Sequence, residues 1–357
     1  MPKANPNPPN RPPRGRGAAS NPMGRFERIE VEADPDSLEG APPERPETVF
    51  LRDASRSIVS TNASPDVGFD ASVNPYRGCE HGCSYCYARP FHEYLGFSAG
   101  LDFETRILVK EEAPALLRRE LTSPKWRPQT VALSGVTDPY QPVERRLGIT
   151  RGCLEVLAEL RNPVIVVTKN HLVTRDADLL GELARHRAAA AAISVTTLDP
   201  DLARRLEPRA SHPRRRLEAV ATLAGAGVAA GVLVAPVIPG LNDHEIPAVL
   251  EAAAGAGASF AGFVVLRLPH GVSHLFAEWL DHHAPGHKEK VLNRVREMRE
   301  GRLNDPAFGR RMRGRGPFAE QIRNLFAVSC RRHGLERHAP ELSTASFRRP
   351  NEQLRLF

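Results

Sequence analysis

The sequence predicts an α/β protein whose centre is an open, partial (β/α)6 barrel. Two observations carry that reading. Six short apolar runs, rich in Val, Ile and Ala, alternate with segments whose leucines recur at helical spacing. Parallel strands joined by helical crossovers produce such alternation, and eight units close a barrel, so six leave it open. Polar residues also recur just after the runs, where the strand exits of such a barrel carry its chemistry.

The units follow in order. Phe69 to Val73 forms a first strand. Glu111 to Leu121 reads as helix, with Leu116, Leu117 and Leu121 on one face. Thr130 to Gly135 contains a short buried strand, and Cys153 to Leu160 is the next helix, with Leu154, Leu157 and Leu160 inward. Val164 to Thr168 is the third strand, followed by a helix with Thr174 as N-cap and Asp176 and Asp178 in its first turn. Ala191 to Thr197 is the fourth, and a helix from Arg214 to Ala224 ends near Gly225 and Gly227. Gly231 to Val237, a helix from Glu245 to Ala254, and Phe260 to Leu268 complete the set. The barrel is thus expected over residues 69–270, after a disordered arm (1–47) and a lead-in (48–68), and before a helical, basic extension (271–357).

Between the first two strands stands Asn74-Pro75-Tyr76-Arg77-Gly78-Cys79-Glu80-His81-Gly82-Cys83-Ser84-Tyr85-Cys86-Tyr87. Three thiolates on one tight loop suit three irons of a [4Fe–4S] cluster and leave the fourth iron without a protein ligand. An open metal position points to chemistry rather than structure. Gly78 and Gly82 allow sharp bends. A zinc site would need a fourth ligand. His81 lies too near Cys79 and Cys83 to close a tetrahedron with them, and no second C-x-x-C knuckle exists. Five cysteines, an odd number in a long chain, argue against a disulfide framework.

Cys79-x-x-x-Cys83-x-Tyr85-Cys86 resembles the cluster motif of radical S-adenosylmethionine (SAM) enzymes, including the aromatic before the last cysteine. The likeness runs from about Phe69 to about Leu268 and looks closest to the photolyase-like branch, named for spore photoproduct lyase. It implies the partial barrel, a [4Fe–4S] cluster on Cys79, Cys83 and Cys86, SAM on the fourth iron, and an electron donor as partner. It also implies reductive cleavage of SAM to a 5′-deoxyadenosyl radical that abstracts hydrogen from substrate. Where the family often carries Gly-Gly-Glu, this chain has Ser134-Gly135-Val136-Thr137-Asp138. Gly135, Thr137 and Asp138 become candidates for the SAM amino group, Asp138 otherwise forming an Asx-turn. Tyr85 is a further cofactor contact. Lys169 could meet a carboxylate, Ser194 and Thr196 the SAM ribose, and Val237 to Asp243 the adenine. Spore photoproduct lyases use a cysteine as hydrogen donor. No cysteine lies between Cys86 and Cys153 here, so thymine-dimer repair is not carried over and no catalytic side chain is assigned.

Of 357 residues, 41% are hydrophobic and 25% charged, enough for one large core. No apolar run is long enough for a membrane span, and Met1 to Asn5 opens no secretory signal; a cytoplasmic enzyme is expected. Met1 to Arg25 is basic, and Glu27 to Glu47 acidic. Both read as unable to fold alone. The net charge of +7 is compatible with nucleic acid as a partner. Arg310, Arg311, Arg313 and Arg315, flanked by Phe308 and Phe318, could grip phosphates. Otherwise they form a solvated loop, as Arg214, Arg215 and Arg216 form a solvated helix face. Arg209 or Arg216 could instead clamp a carboxylate. Cys153 and Cys330 read as buried apolar groups. The alternative reading is an iron–sulfur protein that binds nucleic acid or carries electrons without turning SAM over.

Overall fold

The computed structural model describes residues 13–27 and 46–350. Within them ten strands form two sheets: β1 (Val49–Arg52), β2 (Val59–Thr61), β3 (Ala71–Val73), β4 (Tyr76–Arg77), β5 (Arg106–Val109), β6 (Val131–Leu133), β7 (Val164–Thr168), β8 (Ala189–Ser194), β9 (Ala229–Val237) and β10 (Phe260–Val265). The larger sheet has the order β10-β9-β8-β7-β6-β3-β2. From β3 to β10 every neighbouring pair is parallel, and only the edge strand β2 runs antiparallel to β3. The six expected strands are these six, each beside the next in sequence, and the sheet stays open.

Helices cover it: α1 (Ala113–Thr122), α2 (Ile149–Leu160), α3 (Ala177–Ala184), α4 (Pro213–Gly225), α5 (Ile246–Gly255), α6 (Val272–His283), α7 (Lys288–Glu297) and α8 (Pro317–Arg332). Leu116, Leu117 and Leu121 of α1 and Leu154, Leu157 and Leu160 of α2 face the core, as their spacing requires. β8 reads Ala-Ala-Ala-Ala-Ile-Ser and is buried along its whole length. A central parallel strand covered on both faces needs only to be apolar, and small residues let its neighbours approach. Its first alanines are therefore strand, earlier than the sequence pattern placed the start.

Two expectations change, and the lead-in gains a structure. Thr174 does not cap a helix: a 3-10 turn spans His171–Asp176 first, with the Asn170 side chain accepting from Leu172 N. The lead-in contributes β1, which pairs with β5, itself paired with β4, in a small second sheet. Residues 13–27 of the expected disordered arm are packed. Gly17 and Ala18 are buried, and their N–H groups donate to Glu104 at 3.0 and 2.9 Å. Residues 1–12 and the acidic stretch 28–45 lie outside the described residues.

Candidate active site

The cysteine loop joins β4 to the segment before β5, at the end of the sheet where β6 to β10 terminate. Its turns need left-handed backbone at Gly78 (φ 80°) and Gly82 (φ 65°). A Cβ on Gly82 would lie 2.6 Å from a Glu104 carboxylate oxygen, so glycine is required for space as well. Cys79 N donates to Phe103 O (2.8 Å), Gln141 accepts from Glu80 N (2.9 Å) and donates to Gly78 O (3.2 Å), and Glu80 accepts from Val143 N (2.7 Å).

A buried ion pair underlies the loop. Arg89 donates to the Cys83 carbonyl from Nε and Nη2, to Ala99 and Gly100 carbonyls from Nη1, and to Glu104 at 2.5 Å. Both partners are fully buried. Because Glu104 also accepts from Gly17 and Ala18, this pair pins the cysteine loop and the strap 13–27 together. An isolated buried charge would be costly, and these two are satisfied by each other and by backbone groups.

Cys79 and Cys83 are buried and Cys86 is half-buried. Burial, the largest effect, pushes all three thiols up; Asp138 adds to it at Cys79, and Glu207 at Cys83. Thiolates here would need compensating cations, which metal ligation supplies. Among the described residues no three His, Cys, Asp or Glu side chains converge to hold a single metal ion. Ligands that each take a different iron of a cluster need no common point, so the thiol-only donor set fits a cluster.

Two polar networks adjoin the loop. In the first, Asp138 accepts from Tyr140 N (2.9 Å), Thr168 Oγ1 (2.6 Å) and Lys169 N (2.7 Å), with His81 Nδ1 at 3.3 Å. Burial opposes its charge, but His81 and these donors hold its carboxyl below the usual range. His81, itself buried, reaches Asn170 through Nε2 (3.1 Å). Asp138 thus latches the β6 and β7 exits to the cysteine loop. Its oxygens meet four protein partners, which gives it a structural role, with the Asx-turn as the sequence allowed.

In the second, Glu207 accepts from Tyr85 Oη, Thr196 Oγ1 (2.5 Å) and Arg216 Nη2, with Lys169 Nζ at 3.2 Å. Lys169 Nζ also donates to Thr196 Oγ1 (3.1 Å) and Ala235 O (2.9 Å). Burial works against the Glu207 charge, yet Arg216 and Lys169 hold its carboxyl well below the usual range. Three candidates, Tyr85, Lys169 and Thr196, therefore meet at one carboxylate that the sequence did not single out. Lys169 is not a free cation for a ligand carboxylate, because its three N–H donors have partners. Arg216 is buried and paired, correcting the solvated reading, whereas Arg214 and Arg215 are exposed as expected. Arg209 binds the protein's own Glu80 at 2.9 Å.

The other candidates fall around these networks. Gly135 (φ 125°) accepts from the Tyr87 hydroxyl through its carbonyl, and Val136 and Thr137 donate from their N–H groups to Asn74. Ser194 ends β8 and is held by Arg216 Nη1 donating to its carbonyl (3.1 Å). Val237 ends β9 in the apolar core, and beyond it Asn242 staples the β8 and β9 exits through Ile238 N, Thr196 O and Pro236 O. Asn242 makes no side-chain cap bond. Cys153, Cys330 and Tyr140 are core groups, Tyr140 donating to Asp176 at 3.0 Å. Three of the four loop arginines are neutralised internally: Arg311 by Asp66 (2.5 Å), Arg310 by Asp305 (3.2 Å) and Arg315 by Glu300 (3.4 Å).

An open barrel of six parallel strands with a three-cysteine loop at its strand exits defines a class of iron–sulfur enzyme. The chain belongs to the radical SAM superfamily, whose model matches residues 73–253. An uncharacterized protein of Mycobacterium tuberculosis is 38% identical over 270 residues, covering 75% of this chain and 77% of that protein. A radical SAM Nalpha-GlyT isomerase of Pseudomonas phage M6 is 26% identical over 206 residues, 57% of this chain and 41% of the phage protein. Among solved structures, a mutant spore photoproduct lyase with bound AdoMet and dinucleoside spore photoproduct superposes with a TM-score of 0.55. It shares 15% identity and covers 81% of each chain, a likeness of fold. The protein is therefore a radical SAM enzyme, and its family brings SAM and an iron–sulfur cluster as cofactors. Among the described residues no helix is long and apolar enough to cross a membrane.

Proposed function

We propose that the chain holds a [4Fe–4S] cluster through Cys79, Cys83 and Cys86 and uses SAM to abstract hydrogen from an organic substrate. When bound and reduced, this pair supplies a 5′-deoxyadenosyl radical by cleavage of SAM. The observation that carries the reading is the cysteine loop clamped to the strand exits by two buried networks, one on Asp138 and one on Glu207. The loop cannot move without breaking satisfied buried bonds, so its sulfurs stay fixed relative to the exits.

Each residue then has a task. The Arg89–Glu104 pair and strap 13–27 cover the outer side of the loop and exclude water. The segment Ser134 to Thr137, shaped by Asn74, offers backbone groups to the SAM amino end in place of the Asp138 carboxylate. Ser194 offers its hydroxyl to the ribose. Tyr85, Lys169 and Thr196 act by holding Glu207 rather than by touching SAM, and Val237 backs the adenine side. A cellular electron donor completes the system.

The test is anaerobic reconstitution of the full chain, followed by electron paramagnetic resonance and product analysis. Four irons and four sulfides per chain are expected by the ligation rule, as about four of each. SAM should change the spectrum of the reduced cluster and be cleaved slowly to 5′-deoxyadenosine and methionine. A reduced, fully loaded protein with no spectral response to SAM and no 5′-deoxyadenosine would overturn the reading. It would leave an iron–sulfur protein that binds or transfers electrons.

Nucleic acid as substrate is a second part of the proposal. Its support is the net charge of +7 and exposed aromatics beside arginines, as where Arg25 lies 5.1 Å from the Phe26 ring and 5.6 Å from that of Tyr94. Deuterium transferred to 5′-deoxyadenosine from labelled DNA, RNA, protein or metabolite fractions would name the substrate class.

A further inference from the structure

Buried Arg299 and half-buried Arg267 stand apart from the buried arginines Arg89 and Arg216. Arg89 and Arg216 each meet a carboxylate. Arg299 is 2% exposed and meets none within ion-pair distance. Its Nη2 donates to the carbonyls of Leu266 (2.6 Å) and Arg311 (3.2 Å), while Nε and Nη1 are buried without a partner among the described residues. Arg267, next in sequence to Leu266, likewise has a buried Nε without a partner, and its Nη1 reaches only the Met312 sulfur at 3.6 Å. Two adjacent guanidiniums with three unused N–H-bearing nitrogens are an expensive arrangement unless something accepts from them.

The local charge balance says what that something is. The cations are Arg267, Arg299, Arg310 and Arg311. Asp66 is taken by Arg311, and Asp305 by Arg310 and, through a backbone turn, Ala307 N. Burial, followed by the neighbouring Arg267, lowers the Arg299 pKa to about 10. Positive charge is thus in excess at a site poor in water.

The position ties this site to the reaction centre. The Arg267 guanidinium lies 5.0 Å from the centre of the Tyr87 ring. Tyr87 follows Cys86 directly, and its hydroxyl binds the Gly135 carbonyl at the β6 exit. Tyr87 as a residue is 41% exposed, with its hydroxyl bound and the Arg267 guanidinium over its ring.

We propose that Arg267, backed by Arg299, binds an oxyanion of the substrate, a phosphoryl or carboxylate group, and so holds an anionic substrate beside Cys86–Tyr87. Planar guanidiniums suit either group, because each offers paired oxygens to a fork of N–H donors. This rests on the cysteine loop being the reaction centre.

The test uses full-chain protein with its cluster, under anaerobic conditions, without SAM. Melting temperature is measured in phosphate, in acetate and in chloride at matched ionic strength. Wild type should melt about 2–4 °C higher in phosphate or acetate than in chloride, at roughly tenfold excess over the dissociation constant. Arg267→Gln should lose the rise with iron content unchanged, and Arg267→Lys should keep part of it. A rise with phosphate alone assigns a phosphate ester; a rise with acetate alone assigns a carboxylate. No rise with either anion, or the same rise in Arg267→Gln, overturns the proposal. If Arg267→Gln does not fold, the comparison with Arg267→Lys decides, since an unchanged rise in a single-point cation would show that the fork is not used. Failure of wild type to cleave SAM would remove the proposed reaction while leaving this measurement intact.

Discussion

Cys83 and Cys153 are both buried thiols, and their surroundings separate them. Cys83 lies in a loop with two other cysteines, backed by Arg89 and facing the Glu207 network. Cys153 lies on α2 among leucines and valines. Cys83→Ala should abolish cluster loading, whereas Cys153→Ala and Cys330→Ala should retain it, read as iron per chain after reconstitution. Glu207 makes a sharper case. Glu207→Gln leaves Arg216 buried without its counter-charge, and breaking such a pair costs about 3–5 kcal/mol. Urea unfolding of the two proteins at neutral pH would measure this. The native carboxyl sits below its ordinary value of 4.5, so its stabilisation is fully present above that pH and erodes as pH falls beneath it. His92 acts in a different window. Burial lowers it from 6.5 to about 4, so the unfolded chain binds the proton more readily across that range. Stability should therefore fall as pH drops from 6.5 toward 4, and His92→Gln should flatten this part of the profile; an unchanged slope would exclude His92 as the cause. Ser194→Ala should weaken SAM binding roughly two- to tenfold, one hydrogen bond being worth about 0.5–1.5 kcal/mol net. Its iron content should not change.

The strap 13–27 is the element whose role was least visible beforehand. Its composition, poor in apolar residues, reads as a tail. The structure gives it buried partners, because Glu104 lies beneath it with a lone pair for each of two N–H groups. A Cβ on Gly17 would lie 1.7 Å from the Gly82 carbonyl oxygen. Gly17→Val should therefore lift the strap. The expected result is normal iron loading under argon but faster loss of the cluster's absorbance in air than in wild type. Equal decay would show that the strap does not shield the loop. The segment from Gly309 to Gly316 shows the converse. It is basic in sequence, yet Arg310, Arg311 and Arg315 are committed to ion pairs within the chain. Replacing all four of its arginines by Gln should lower the melting temperature, so Arg313→Gln is the cleaner probe of phosphate binding.

At the scale of the molecule, the sheet sets where chemistry can occur. Six parallel strands in sequence order bring all their exits to one end, and the loop between β4 and β5 delivers the cysteines there. If the substrate is nucleic acid, affinity for a single-stranded oligonucleotide should fall steeply with salt, because phosphate contacts release counterions. Binding that is absent at low salt, or independent of salt, would direct attention to small anionic substrates.

The sequence by itself determined the six parallel strands, the open barrel and the cysteine loop. Those features are local: apolar runs, helical spacing and three cysteines within eight residues. It also placed Asp138, Lys169, Ser194 and Thr196 at the strand exits, because exit positions follow from strand ends, and Tyr85 in the cysteine loop. Only the tertiary structure decided what those residues touch. Glu104, Glu207, His81 and Asn242 carry no local signal that marks a buried acceptor or staple, and Arg216 sits in a run that looks solvated. The charge partner of Arg216 is nine positions away, that of Glu104 fifteen and that of Lys169 thirty-eight, and the backbone donors to Glu104 lie eighty-six and eighty-seven away, counted along the chain. Charge pairing over such separations depends on how strands and loops are stacked. No periodicity records it, and the desolvation cost that selects each partner exists only once the core has closed.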